Sequence, residues 1–178
     1  MTNQSTEMDS TVDGHRIRAA SESDRAAVQT IQIATGLFAA DELGDSDAMF
    51  DGSMDGSLVD HFWIVSESEA GVVVGAAYFA PEPFSDRMWN LYFIGVLPEQ
   101  QLSGTGGALV HHVEQALRDR GGDVARTLII ETSSLPGFAG TRAFYAARGF
   151  DEEARIRDFY APGESKVVFW KSLVADSV

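Results

Sequence analysis

The stretch Asn90–Leu109, with the sequence NLYFIGVLPEQQLSGTGGAL, decides the fold because it leads from a hydrophobic strand into a glycine-rich helix start. The strand ends before Pro98. Glycines at positions 104, 106 and 107 then open the clearest amphipathic helix of the chain, predicted for Gly104–Arg120. The free amides in the first turn of such a helix, aided by the helix dipole, suit an anion such as phosphate. The same glycines would also fit a tight turn that binds no ligand.

Two widespread phosphate-binding motifs do not fit this segment. A P-loop requires Lys and then Ser or Thr after its last glycine, whereas Ala and Leu follow Gly107. The dinucleotide fingerprint requires a third glycine at position 109, which is Leu here. The pattern Gln101-x-x-Gly104-x-Gly106 instead resembles the pyrophosphate loop of the GNAT acetyltransferases, which bind acetyl-coenzyme A (acetyl-CoA).

A second segment supports this resemblance. Thr141–Phe150, with the sequence TRAFYAARGF, is similar to a late helix of that family, including the aromatic pair Phe144–Tyr145. The resemblance covers roughly residues 15–173. It implies an α/β fold (α+β by some schemes) with a mixed, mostly antiparallel central sheet and helices on both faces. We therefore expect a disordered N-terminal arm over residues 1–14 and a single acetyltransferase domain over residues 15–178.

Hydrophobic periodicity predicts the order of the elements. The predicted helices are one capped by Ser21 or Ser23 and ending at Ala34, a weaker one around Ala39–Phe50, Gly104–Arg120, and one around Thr141–Arg148. The predicted strands are His15–Ala20, His61–Ser66, Val72–Ala80, Trp89–Leu97, Thr127–Glu131, Phe150–Tyr160 and Lys166–Leu173.

The resemblance also implies roles for residues of both motifs. Backbone groups at Ile94 and Val96 would hold pantetheine and polarise the thioester, with the Val96 amide as the donor to the carbonyl. Tyr145 would be the general acid for the departing thiolate, and the alternative is that it is a core aromatic. Amides of the glycine loop, defined here as Gln101–Gly107, would bind the pyrophosphate; its residues are Gln101, Leu102, Ser103, Gly104, Thr105, Gly106 and Gly107.

Two features leave the chemistry open. Family loops often carry Arg or Lys beside the glycines, but Glu99 and Gln100 stand here, so binding would depend on amides, hydroxyls and the helix dipole. Glu131, at the end of a predicted strand, could deprotonate the acceptor amine directly or through water. It could equally be a structural carboxylate bonded to the Thr132–Ser134 turn.

No metal is expected. His111 and His112 are adjacent on the predicted helix, so their side chains diverge by about 100° and cannot chelate one ion. The acidic run Asp45–Asp60 lacks the ligand spacing of a calcium loop and is interpreted as a solvated turn. The absence of Cys excludes disulfides, thiolate metal sites and a cysteine nucleophile.

The formal charge of -14 excludes further classes of function. With 27 acidic and 13 basic residues, the chain does not suit nucleic acid, because a polyphosphate partner requires Lys and Arg. The start of the chain is polar and no apolar stretch approaches the length of a membrane span, so we expect a cytoplasmic protein with no membrane partner. The acidity fits either a surface adapted to high salt (a halophilic protein), which we favour, or an acidic pocket for a cationic ligand.

The sequence therefore predicts an acyltransferase, a GNAT-type N-acetyltransferase that moves an acetyl group from acetyl-CoA to a primary amine by direct transfer in a ternary complex. The acceptor is expected to be a small amine or amino acid, although a protein N-terminus or lysine would use the same chemistry. The alternative is a non-catalytic acyl-CoA-binding or interaction module on the same fold. An edge strand expected at the C-terminus would allow a homodimer.

Overall fold

A computed structural model describes residues 9–12 and 14–174 of the chain. The chain divides into two compact units. The first unit consists of the described residues up to Ala80 together with Phe93–Ala116. The second unit consists of Pro81–Tyr92 and the described residues from Leu117 onward.

Eight strands and four α-helices are formed by the described residues. The strands are β1 (Ser10–Val12), β2 (His15–Ala19), β3 (Phe62–Glu67), β4 (Val73–Pro81), β5 (Met88–Val96), β6 (Thr127–Ser133), β7 (Asp151–Ala161) and β8 (Glu164–Ser172). The helices are α1 (Arg25–Ala34), α2 (Gly44–Asp55), α3 (Thr105–Asp119) and α4 (Ala139–Ala146). Short 3-10 turns precede α1, α3 and α4.

The strand order is β1-β2-β3-β4-β5 in the first unit and β5-β6-β8-β7 in the second, because β5 contributes residues to both. β5 and β6 pair in parallel, with Met88 to Leu91 opposite Thr127 to Ile130. The pairs β1–β2, β2–β3, β3–β4, β6–β8 and β7–β8 are antiparallel. The sheet is therefore mixed and mostly antiparallel, which confirms the predicted fold class.

Alternating residues of β4 separate the two helical layers of the first unit. Ala76, Tyr78 and Ala80 lie in the buried cluster that includes residues of α1 and α2. A side chain at Gly75 would point the other way and would meet Thr105 and Leu109 of α3. In this unit, helices therefore cover both faces of the sheet, as the sequence predicts.

Gly95 on β5 allows α1 to pack closely against the first unit's sheet. A Cβ at this position would lie 2.7 Å from the Phe93 ring and 2.8 Å from Ile31 on α1. Any larger side chain would thus push α1 away from β5. The glycine is explained by this packing.

Aromatic contacts organise the core of the second unit. Tyr145 on α4 packs against Phe169 on β8 at a ring-centroid distance of 5.5 Å and against Phe150 at 6.2 Å. Leu128 and Ile130 of β6 are also buried. These contacts fix α4 against one face of the β6–β8 pair.

Two expectations differ from the structure. Ser10–Val12, within the predicted disordered arm, forms β1 by pairing with β2, where Val12 lies opposite His15. Residues 1–8 and 13 of that arm lie outside the described residues. The C-terminal strand β8 is not at an edge, because the hairpin with β7 places β8 between β6 and β7. The prediction of a homodimer through a C-terminal edge strand therefore loses its basis, since β7 occupies that edge.

Within the part of the chain that the structure describes, no helix combines the length and the apolar character that a membrane span requires.

Candidate functional site

The glycine loop ends where α3 begins. The Ala108 amide donates to the Gly104 carbonyl at 2.9 Å, which sets the first turn of the helix. The amides that precede Ala108 in this turn have no carbonyl four residues earlier within the helix, so they are available to an anion. Gly104 has a φ of 94°, a conformation that residues with a side chain rarely adopt. The geometry thus leaves backbone amides open at the helix start, where the sequence predicts an anion site.

Gln101 links the glycine loop to the end of β5. Its Nε2 donates to the Val96 carbonyl at 3.2 Å. The Leu97 amide donates to Val74 of β4 at 2.9 Å, so the preceding Val96 amide and carbonyl point away from β4. The Val96 amide is therefore not used in pairing with β4. Ile94 and Val96 are both half-buried on this part of β5.

His15 of β2 lies against the glycine loop, which sequence reasoning missed. Its Nε2 is 3.1 Å from the Ser103 carbonyl oxygen, and its Nδ1 is 3.3 Å from the Thr105 hydroxyl. A Cβ added to Gly104 would lie 3.4 Å from His15 Nε2. No motif marks this residue, because it is 88 positions from Ser103 in sequence and only the fold brings the two together.

The hydrogen bonds around His15 extend into the glycine loop. The Ser103 hydroxyl donates to the Gln100 carbonyl at 2.6 Å and lies 2.8 Å from the Thr105 hydroxyl. The two nitrogens of the His15 ring contact Ser103 and Thr105, so the ring braces a loop that lacks Arg and Lys.

Tyr145 of α4 is buried in the second unit and is only 3% exposed. Burial raises the pKa of its phenol well above the ordinary value, so the hydroxyl remains protonated at neutral pH. Among residues 9–12 and 14–174, its hydroxyl has no hydrogen-bond partner. Tyr145 is thus packed in the core, and no described residue accepts the proton of its hydroxyl.

Glu131 of β6 is half-buried and forms an ion pair with Lys166 of β8. Glu131 Oε2 lies 2.6 Å from Lys166 Nζ, which also stands over the Phe159 ring at 3.7 Å. The carboxylate therefore has a fixed partner on the neighbouring strand, where the sequence suggested the Thr132–Ser134 turn. This ion pair favours the structural interpretation of Glu131, because a general base would first have to leave Lys166.

The two predicted catalytic residues belong to opposite faces of the second unit's sheet. The register places Ile129 beside Asn90, and Glu131 beside Val168, so these residues share the side that we call the Glu131 face. Ile130 and Phe169 are paired on the opposite side, against which Tyr145 packs. The structure therefore does not bring Glu131 and Tyr145 together on one surface.

The two adjacent histidines of α3 have separate environments. His112 is buried and its Nδ1 bonds to Ser10 of β1 at 2.7 Å, whereas His111 is exposed. Burial lowers the pKa of His112, which favours the neutral ring. Among the residues described, no three His, Asp or Glu side chains are arranged to hold a metal ion.

Comparison with known proteins agrees with this architecture. Among solved structures, a GNAT-family protein from Desulfovibrio desulfuricans superposes with a TM-score of 0.80 at 29% identity, covering 89% of this chain and 98% of that one. The ribosomal-protein-S18-alanine N-acetyltransferase of Escherichia coli has a TM-score of 0.72 at 20% identity, with 92% and 98% of the chains covered. A Salmonella typhimurium protein, yncA, whose structure contains its cofactor acetyl-CoA, has a TM-score of 0.71 at 21% identity, with 92% of this chain and 96% of that one covered.

Sequence comparison gives the family. No protein among curated sequences matches the chain. The sequence model of the Acetyltransferase (GNAT) family matches residues 30–150, which include both motifs that carry the resemblance. The match spans more than half of the chain and confirms the predicted family and acyltransferase class. The chain therefore belongs to the GNAT family of acetyltransferases.

Proposed function

We propose that this acyltransferase moves an acetyl group from acetyl-CoA to a primary amine by direct transfer in a ternary complex. The observation that carries the proposal is the glycine loop, with its open amides at the start of α3 and the histidine beside it. A neighbour with the same fold contains acetyl-CoA, which supports this choice of cofactor.

The residues of the loop fit the phosphates of coenzyme A. We assign the amides from Gln101 to Gly107 to the pyrophosphate, with the His15 ring holding the loop beside them. The Val96 amide, which points away from β4, is assigned to the thioester carbonyl, and the backbone at Ile94 to pantetheine. Gln101 supports this arrangement because it occupies the Val96 carbonyl and leaves the amide open.

The transfer requires one new bond, one broken bond and two proton movements. The neutral amine nitrogen attacks the acyl carbon, the carbon–sulfur bond breaks, and the thiolate leaves. We assign the proton that the thiolate takes up to Tyr145, whose buried phenol is protonated at neutral pH. Glu131 remains a candidate base for the amine proton, and its ion pair with Lys166 argues for a route through water.

Calorimetric titration with acetyl-CoA tests the proposal, with two matched glycine variants. Gly104→Val introduces a side chain at a positive φ beside His15 and is expected to abolish detectable binding. Gly163→Val is also at a positive φ, but in the open β7–β8 turn, and should bind as the wild type does. Absence of wild-type binding at millimolar acetyl-CoA would refute the proposal.

Release of free thiol in the presence of a panel of amines separates the enzyme from a non-catalytic acyl-CoA-binding module, which would release none. The same assay in increasing salt addresses the acidity of the chain. Loss of activity would support steering of a cationic amine, and activation would support a salt-adapted surface. The small-amine acceptor and the cytoplasmic location remain proposals.

A further inference from the structure

A carboxylate on the β4–β5 connection of the second unit is held by two side chains of β5. Glu82 Oε2 accepts from Asn90 Nδ2 at 3.0 Å and from the Tyr92 hydroxyl at 2.9 Å. The Glu82 backbone is fixed as well, because its amide donates to the Met88 carbonyl at 2.8 Å. Two neutral donors and a backbone bond thus hold this carboxylate in one position.

The carboxylate has no positive partner. Among residues 9–12 and 14–174, no Lys, Arg or His forms an ion pair with Glu82, and its Oε1 accepts no hydrogen bond. Asn90 is 1% exposed, and its Oδ1 is a buried oxygen without a donor in the described part of the chain. The half-buried Glu82 carboxylate therefore keeps one oxygen without a donor and a charge without a partner, which a cationic donor from outside would satisfy.

This arrangement contrasts with Glu131 on the same side of the sheet. Asn90 is paired with Ile129, and Tyr92 follows Asn90 by two residues, so the side chains that hold Glu82 belong to the Glu131 face. Lys166 neutralises Glu131. Of these two carboxylates, Glu82 is the one with its charge uncompensated, so it is the stronger attractor for a cation on this face.

We propose that Glu82, positioned by Asn90 and Tyr92, binds the ammonium group of the acceptor; this inference rests on the proposed acetyltransferase function. A primary ammonium carries a positive charge and three N–H donors, which match the negative charge of Glu82 and its free Oε1. Primary amines reach the enzyme in this charged form, because their ordinary pKa values lie far above neutral pH. The acceptor class is therefore a cationic amine, and a neutral or anionic acceptor is disfavoured.

Nuclear magnetic resonance provides a test that does not depend on turnover. The Asn90 side-chain amide, which donates to Glu82, is the reporter, and 1,4-diaminobutane is the probe, with uncharged 1-butanol as its control. A saturable shift of the Asn90 amide with the diamine, but not with the alcohol, is expected. No shift at tens of millimolar diamine, while the glycine-loop amides still respond to coenzyme A, would overturn the Glu82 proposal and leave the proposed function intact.

Kinetics with acetyl-CoA and 1,4-diaminobutane provide a second readout. Glu82→Gln keeps the shape but removes the charge, and it should raise KM for the diamine about 10- to 100-fold, with KM for acetyl-CoA unchanged. Glu152→Gln, an exposed β7 carboxylate paired with Arg155, is the matched control and should have no effect. An unchanged KM for the amine in Glu82→Gln would refute the proposal.

A third variant guards against a folding defect. Tyr92→Phe removes one donor to Glu82 and keeps the carboxylate, so an intermediate rise in KM for the amine is expected. If Glu82→Gln does not fold, two results still count against the site. One is an Asn90 amide shift with the diamine that is the same in Tyr92→Phe as in the wild type. The other is no shift of the wild-type Asn90 amide with the diamine. Failure of coenzyme A to shift any loop amide would instead refute the proposed function.

Discussion

The glycine loop of the first unit and the Glu131 face of the second unit present different polar groups. The loop presents backbone amides and, beside them, the His15 ring. The Glu131 face presents Glu82 and Glu131, of which only the latter has a cationic partner among the described residues. Open amides suit an anion such as phosphate and an uncompensated carboxylate suits a cation, so the two regions differ in the charge of the ligand that each favours.

The two regions also differ in how their polar groups are held. The loop uses mostly main-chain amides, whose positions follow from the start of α3 and tolerate many side chains. The Glu131 face uses side chains whose positions depend on neighbouring strands, such as Lys166 of β8 for Glu131 of β6. This difference predicts that cofactor binding resists most side-chain changes, whereas acceptor binding and catalysis depend on single residues.

Tyr145→Phe is the sharpest test of that division. Loss of the hydroxyl should lower kcat about 100-fold, since a general acid typically contributes at least that factor, and should leave the Kd for acetyl-CoA unchanged. The ring keeps its contacts with Phe150 and Phe169, so stability should change little. Steady-state kinetics and calorimetric titration on the same preparation measure the two quantities.

Tyr78→Phe is the control for Tyr145→Phe. Tyr78 is likewise a buried tyrosine, and burial raises its pKa to about 12, but it belongs to the first unit's core. Loss of the Tyr78 hydroxyl should leave kcat unchanged at a temperature where the variant is folded. If kcat falls to the same extent in both variants, or in neither, the Tyr145 hydroxyl makes no specific contribution to catalysis. Tyr145 is then a packing residue.

The difference between the regions also explains what the sequence could predict. The glycine loop, α3 and the Phe144–Tyr145 pair are local in sequence, so spacing and periodicity were sufficient to find them. His15 and Glu82 carry no motif, because their partners are brought to them by strand pairing and by a hairpin. Glu131 was found, but its Lys166 partner lies 35 positions away and could not be inferred from spacing.

Strand boundaries and pairing show the same limit. Nearly every element was predicted to within a few residues, since each has its own hydrophobic pattern. β1 was missed, because three residues at the start of the chain become a strand only through pairing with β2. The internal position of β8 was also not evident, since strand order depends on long-range contacts that no local pattern records.

His15→Ala tests whether the histidine braces the glycine loop. Loss of its contacts with Ser103 and Thr105 should raise the Kd for coenzyme A about fivefold, because the loop amides are then held less firmly. His111→Ala, on an exposed position of α3, should leave the Kd unchanged.

Titration calorimetry with coenzyme A measures both Kd values. An unchanged Kd in His15→Ala would show that Ser103 and Thr105 hold the loop without the histidine.

Asp24→Asn should alter the first unit's stability while leaving the site intact, so its effect on coenzyme A affinity should be the smallest. The Asp24 carboxylate accepts from both Arg18 amino groups at 2.7 and 2.9 Å, and from the Ser21 amide. These bonds lower its pKa from 3.8 to about 2. Because the folded-state pKa is depressed, this stabilisation is complete above about pH 4 and is lost as the pH falls toward 2.

Urea unfolding should therefore show a loss of about 2 kcal/mol for Asp24→Asn at pH 7, which shrinks toward zero near pH 2. Asp41→Asn, at an exposed position before α2, should change stability by less than about 0.5 kcal/mol at either pH. Because Asp24 is only 5% exposed and contacts neither the glycine loop nor Glu82, the Kd for coenzyme A should stay at its wild-type value. A large change in that Kd would show that coenzyme A binding depends on how Arg18 and Asp24 hold β2. His15, which belongs to the same strand, would then transmit the position of β2 to the glycine loop.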